Sequence, residues 1–321
     1  MKKLVTGILL ASLAAGLFAL PNLIKKEDFG ADSIDKLVID LSWEEVVIKE
    51  TYDTSSIEVE TYCNYKKHAP EVSVSGSTLN IESTKRSSGF FSTPTGLYCT
   101  VIIYLPEKKD FEEANINVSS GKIILQHQLS AKKEINLQAA SGDITSEKGL
   151  FADSIKVSAS SGDIDLFNLD ADNFTVKTSS GDITIKKFTG ENGSVHATSG
   201  DIKIEDYACE YANFNTSSGD ISIKKLDCDY FDAESTSGSI ALDLKNAPVA
   251  SSSIESTSGN VDIYLPMRAK FSVDVSSTSG TFRDKFNNNR MNPRDNYTQD
   301  YNGGGSTLKF HTTSGNITLD Y

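Results

Sequence analysis

The sequence predicts an all-β chain wound as a single-stranded parallel β-solenoid, a β-helix of about 19–21 residues per coil, with a strand-rich N-terminal cap. Three observations carry this. Ser-Gly recurs at Gly121, Gly142, Gly162, Gly181, Gly200, Gly219, Gly238, Gly259, Gly280 and Gly315, in steps of 21, 20, 19, 19, 19, 19, 21, 21 and 35 residues. Two residues after each glycine the chain is always apolar, as at Ile144, Ile183, Val261 and Phe282. Five residues before each glycine it is apolar again (Ile116, Val176, Phe214, Phe310), and the next residue is always polar (Asn117, Lys177, Asn215, His311). Apolar and polar neighbours held in one phase beside β-branched residues are the mark of strands with one buried face, and a helix would not keep that phase.

Each unit reads as a strand such as 173–178, a Ser-Ser-Gly corner, and a second strand such as 182–185. The corner glycine is expected to supply a backbone conformation that a side chain forbids, and the neighbouring Asp or Ser to bond local amides. One such unit cannot bury its apolar face alone, whereas stacked units about 4.8 Å apart bury a continuous column. Antiparallel hairpins in a sandwich share the alternation but have no need of a constant step.

Taken in chain order, Met1-Lys2-Lys3 followed by an apolar run to Leu20 and then Pro21 has the order of an export signal, so residues 1–20 are expected to be a signal peptide or an uncleaved N-terminal anchor. Export would place the protein outside the cytoplasm: periplasm, cell surface or medium. Residues 33–100 are strand-rich without regular period and read as degenerate coils or a cap. Residues 101–321 carry the repeats. Val101-Ile102-Ile103-Tyr104-Leu105-Pro106 returns as Val261-Asp262-Ile263-Tyr264-Leu265-Pro266, which suggests two related sub-arrays.

The four cysteines resolve by spacing. Cys209 and Cys228 each lie nine residues after a corner glycine, so they should face one another on adjacent coils within disulfide reach. Cys63 and Cys99 then form the second pair, pinning the cap in an oxidising compartment. Metal binding is the rival use of four cysteines, without a Cys-x-x-Cys pair or nearby His to support it.

Asp143, Asp163, Asp182, Asp201 and Asp220 follow their glycines and form a carboxylate ladder. As a turn device each Asp bonds local amides; as a metal site the ladder would be a weak cation binder. No cofactor is implied. The excess of 44 acidic over 31 basic residues, a net charge of -13, argues against nucleic acid as a partner.

The long unit after Gly280 carries an insert over 283–306 that is locally basic and aromatic, and Arg283, Arg290, Arg294, Tyr297 and Tyr301 form the candidate binding loop for an envelope glycan or surface protein. Residues 85–96, with Phe90 and Phe91, are a weaker candidate.

The Ser-Ser-Gly-Asp-Ile repeats, the Tyr-Leu-Pro strand and the segment Trp43-Glu44-Glu45-Val46 together resemble the bacterial putative-adhesin β-strand-repeat family over roughly residues 33–321. That resemblance implies an exported repeat domain of unknown function and no catalytic motif. The expectation is therefore a non-catalytic, adhesin-like envelope or surface binding or structural protein that touches a membrane only through residues 1–20, if these are not cleaved. Two alternatives stand beside it. One is a β-helix polysaccharide lyase or hydrolase. The other is an envelope scaffold that polymerises end to end, suggested by Ile317-Thr318-Leu319 reaching the last residues as an uncovered edge.

Overall fold

The computed structural model describes residues 22–84, 97–292 and 296–321; residues 1–20, 85–96 and Arg294 therefore lie outside the described residues. The described chain is all-β, broken only by two short 3-10 segments, Ala31–Ser33 and Lys66–His68.

In the middle of the molecule the repeat becomes a stack. Ile164–Thr178, Ile183–Ala197, Ile202–Thr216 and Ile221–Ser235 lie parallel, each residue beside its equivalent one repeat later, so that Ile164, Ile183, Ile202 and Ile221 stand in line. The apolar positions noted in the sequence point inward, and one continuous core runs from Ala31 to Leu319. Within it Phe174, Phe188, Tyr207 and Phe214 form a chain of rings with centroids 5.1, 4.6 and 5.1 Å apart.

The corner glycines are required for a reason other than the expected one. Among the described glycines only Gly76, Gly303 and Gly304 have positive φ, and none of these is a corner. Instead, a Cβ added at Gly142 would lie 1.8 Å from the carbonyl oxygen of Gly121, and at Gly200 it would lie 1.8 Å from that of Gly181. The backbones approach too closely at the corner for any side chain. Glu44 occupies this corner in the coil that carries Lys36–Leu41 and Glu45–Thr51, and Gly121 packs on its carbonyl. Its side chain folds back, Oε2 accepting from the amides of Ser42 and Trp43 and from the Ser83 hydroxyl.

Stack order departs from chain order at both ends. Lys36–Leu41 and Glu45–Thr51 lie directly on Asp110–Val118 and Ile123–Leu125, while Thr78–Glu82 and Cys99–Pro106 lie outside them. At the other end Thr307–Thr312 and Ile317–Asp320 slot between the Ser252–Ser256/Val261–Tyr264 layer and the Phe271–Ser277/Phe282–Asp284 layer. The close glycine contacts give the same order, Gly259 to Gly315 to Gly280. The last strand is therefore paired on both sides, which removes the uncovered edge that suggested end-to-end polymerisation.

Among the described residues antiparallel pairing appears only toward the two ends. Asn22–Gly30 and Cys99–Pro106 flank Ser56–Cys63, and Glu71–Ser75 runs against Thr78–Glu82. At the opposite end Tyr297–Tyr301 covers Phe271–Ser277 and Asn289–Met291 covers Phe282–Asp284. A short hairpin return can only run antiparallel, and it satisfies the edge amides an outermost coil would otherwise expose.

Candidate functional site

Along the corner the aspartates bond to the stack itself. Oδ1 of Asp143, Asp163, Asp182 and Asp201 accepts the backbone N–H of the next aspartate in line, at 3.2, 2.9, 2.9 and 3.0 Å, and Asp220 accepts from Ser239 at 2.7 Å. The ladder continues through Asn260 to Asn316 and from Asn316 to Thr281, in stack order. Lys122 adds an ion pair to Asp143 at 2.6 Å and Lys203 one to Asp201 at 3.0 Å. The Lys122 bond chiefly holds the Asp143 carboxyl below its ordinary range, against partial burial; for Asp201 the Asp220 amide is the larger cause and Lys203 the second. This geometry is that of the turn device: an oxygen of each carboxylate is committed to a neighbouring amide. Among the described residues no three His, Cys, Asp or Glu side chains converge as a metal site.

Three residues before several glycines a buried hydroxyl does related work. Thr178 donates to the Gly162 carbonyl and accepts from the Gly181 amide, and Thr216, Ser235 and Ser256 repeat the pattern. These hydroxyls are engaged as structural bonds between coils.

Both disulfides form. Cys209 and Cys228 are register partners on adjacent parallel strands with Cα atoms 4.9 Å apart. Cys63 and Cys99 are opposite one another in an antiparallel pair, Cα atoms 4.3 Å apart, and tie Ser56–Cys63 to Cys99–Pro106 at the N-terminal end.

The candidate loop divides. Arg283 and Arg290 are exposed and directly opposite in an antiparallel pair. The tyrosines turn inward. Tyr301 is 4% exposed, its ring stacks on Phe271 at 4.6 Å, and its hydroxyl donates to Asp284 Oδ2 at 2.8 Å. Tyr297 is half-buried against Phe282. Asp284 stands at a core position and is itself buried, satisfied by Tyr301 and by the backbone and side-chain N–H groups of Asn287. Burial, then the Asp284 bond, pushes the Tyr301 phenol far above its ordinary range. The insert is the lid of the stack's C-terminal end, and of the candidate residues that are described Arg283 and Arg290 face solvent as a contact surface would require. The rings of Tyr297 and Tyr301, expected at a contact surface, serve instead the end of the core.

The constant step also aligns a second surface, legible from spacing alone. Five residues after successive corner glycines stand Phe167, Lys186, Glu205, Lys224, Asp243 and Tyr264, all exposed and in line along one face. Phe167 is 46% and Tyr264 42% exposed, and Lys186 Nζ sits 5.4 Å from the Phe167 ring centre. A groove of about 310 Å³ surrounds Phe167, and another of about 270 Å³ adjoins Tyr264.

Comparison with known proteins yields a family model described as Toastrack DUF4097, which matches twice in succession, at residues 34–150 and 146–320. No protein of curated function matches the chain. Similar solved structures include a putative adhesin from Parabacteroides distasonis, at 14% identity and TM-score 0.48, covering 92% of this chain and 96% of that one. A putative adhesin from Parabacteroides merdae shares 13% identity with TM-score 0.45, covering 92% and 95%. A putative lipid binding protein, also from Parabacteroides distasonis, shares 15% identity with TM-score 0.43, covering 92% and 96%.

Proposed function

The chain belongs to the Toastrack DUF4097 family, and from that premise we propose that it is an exported, non-catalytic, single-stranded parallel β-solenoid acting as an adhesin-like binding or structural protein of the cell envelope. The observation that carries the reading is what the repeated polar groups do: the corner carboxylates and buried hydroxyls are bonded coil to coil. They stiffen a rod, and its outward columns remain free to meet a partner. The last strand, paired on both sides, offers no free edge for growth through it, which favours a single rod over a polymer extended at that strand. Two disulfides suit an oxidising, extracytoplasmic destination. Among the described residues no helix is long and apolar enough to cross a membrane.

The test is to express the full chain with its leader, fractionate the cells, titrate thiols and measure binding of the purified protein to envelope fragments. Recovery outside the cytoplasm with four oxidised cysteines and saturable binding supports the reading. Cytoplasmic recovery with reduced cysteines, or no binding, overturns it.

A further inference from the structure

We propose that the face formed by the residues five positions after each corner glycine binds an extended, uncharged glycan lying along the rod. This rests on the surface-binding reading above and names its site and ligand class.

The chemistry is present twice on one line. The first groove brings together the Phe167 ring, the Lys186 ammonium, the Glu147 and Asp165 carboxylates and the Thr184 hydroxyl. The second brings together the Tyr264 ring, the Lys224 ammonium, the Asp243 carboxylate and the Ser222 hydroxyl. A pyranose has an apolar face of C–H bonds and a rim of hydroxyls that both donate and accept. An exposed ring takes the face, an ammonium donates to the rim and a carboxylate accepts from it. The register places the two rings five coil steps apart, about 24 Å at roughly 4.8 Å per step. Between them Glu205 and Lys224 continue the alternation of sign, and the side chains of Glu205, Lys224 and Asp243 make no hydrogen bond or ion pair with any described residue.

The mixture of signs selects the occupant. A polyanionic glycan meets carboxylates at alternate steps and a chain of net charge -13. A protein partner would want a contiguous apolar centre, and here the two rings stand apart with charged residues between them. A linear neutral glycan matches on both counts, and spanning both rings makes the second contact intramolecular, which raises affinity beyond either site alone.

The experiment is calorimetric titration of the full protein with disaccharides and hexasaccharides of β-1,4-linked glucose, N-acetylglucosamine, mannose and xylose. Phe167→Ala, Tyr264→Ala and the double variant are compared, each checked for an unchanged melting temperature because both rings are exposed. At least one hexasaccharide should bind at least tenfold tighter than its disaccharide. Each single variant should weaken it by about tenfold, the weight of one stacked ring, and Phe167→Tyr should retain binding. Absence of binding by every oligosaccharide, or equal affinity in the double variant, overturns the proposal. Envelope-fragment binding by the same proteins separates the two readings. If the double variant binds fragments as the wild type does, this face is wrong and the surface-binding reading survives; if the wild type binds neither, both fall.

Discussion

Gly193 and Tyr207 share one space in the core: a Cβ on Gly193 would lie 1.7 Å from the Tyr207 hydroxyl, which reaches in from the adjacent coil. Tyr207 is fully buried and its hydroxyl has no hydrogen-bond partner among the described residues, and burial alone pushes that phenol far above its ordinary range. The missing side chain in one coil is filled by the larger ring of the next. Gly193→Ala should therefore overpack the core and destabilise by about 1–3 kcal/mol. Tyr207→Phe keeps the ring and removes an unsatisfied hydroxyl, so it should be neutral or stabilising by about 1 kcal/mol. Denaturant unfolding of both variants checks the pair; a Tyr207→Phe loss comparable to Gly193→Ala would contradict this packing.

The corner glycines should be far less tolerant than the glycines of positive φ. Gly200→Ala sets a methyl against a backbone carbonyl that cannot move without parting two coils, and a loss above about 3 kcal/mol is expected. Gly303 has φ +100 with nothing within 4 Å of an added Cβ, so Gly303→Ala should cost only about 1 kcal/mol, from backbone strain. Comparable losses at the two sites would mean that conformation, and not the close approach of coils, sets the requirement.

The C-terminal lid makes a different prediction. Tyr301→Phe leaves the buried Asp284 carboxylate short of one donor and should cost about 1–3 kcal/mol. Removing residues 286–305 would strip the strands that cover Phe271–Ser277 and Phe282–Asp284, and the bared layer should associate through its edge. Size-exclusion chromatography with light scattering should show oligomers for the deletion and a single rod for the intact chain. A monomeric deletion variant of unchanged melting temperature would show the insert to be dispensable to the end.

The two disulfides should differ in what their loss exposes. Cys209→Ser/Cys228→Ser opens a bond within a continuous stack and should lower stability by about 2–4 kcal/mol without local fraying. Cys63→Ser/Cys99→Ser unties Ser56–Cys63 from Cys99–Pro106 at the N-terminal end, so hydrogen exchange should rise first across 56–63 and 99–106. Uniform exchange in both double variants would count against separate roles.

Two members of the aspartate ladder contribute to acid sensitivity, alongside Asp53, Glu60, Glu112 and Asp320, whose carboxyls are also held low. Asp143 and Asp201 are held below the ordinary carboxylate range in the folded chain. A depressed folded pKa contributes stability that is present above the unfolded value, about 4, and is lost as pH falls through the folded one. Melting temperature should fall on acidification below about pH 4, and Asp143→Asn with Asp201→Asn should flatten that limb. An identical acid profile in the double variant would locate the titrating groups elsewhere.

Much of this was legible because a repeat repeats its physics. The phase of Ile183, Val195 and Ile202 predicts which side chains are buried, and the common offset of Cys209 and Cys228 from their glycines predicts their bond. The functional reading was less accessible. Tyr301 looks like a contact residue in sequence and is a core residue in space, since only the fold reveals that the chain after Asp284 returns across the end of the stack. Phe167 and Tyr264, 97 positions apart, become one face only when coils are laid side by side.

The sequence by itself determined the all-β class, the coil length, the buried phase and both cysteine pairs. These follow from local alternation and a constant step, and each coil meets neighbours that carry the same pattern. Only the tertiary structure decided the order of the end layers, the interposition of Ile317–Asp320 between earlier strands and the true reason for the glycines. Those depend on which backbone lies against which. A pattern shared by every coil stabilises any neighbour equally and cannot specify that choice; the unique hairpins, rings and buried Asp284 at the ends do.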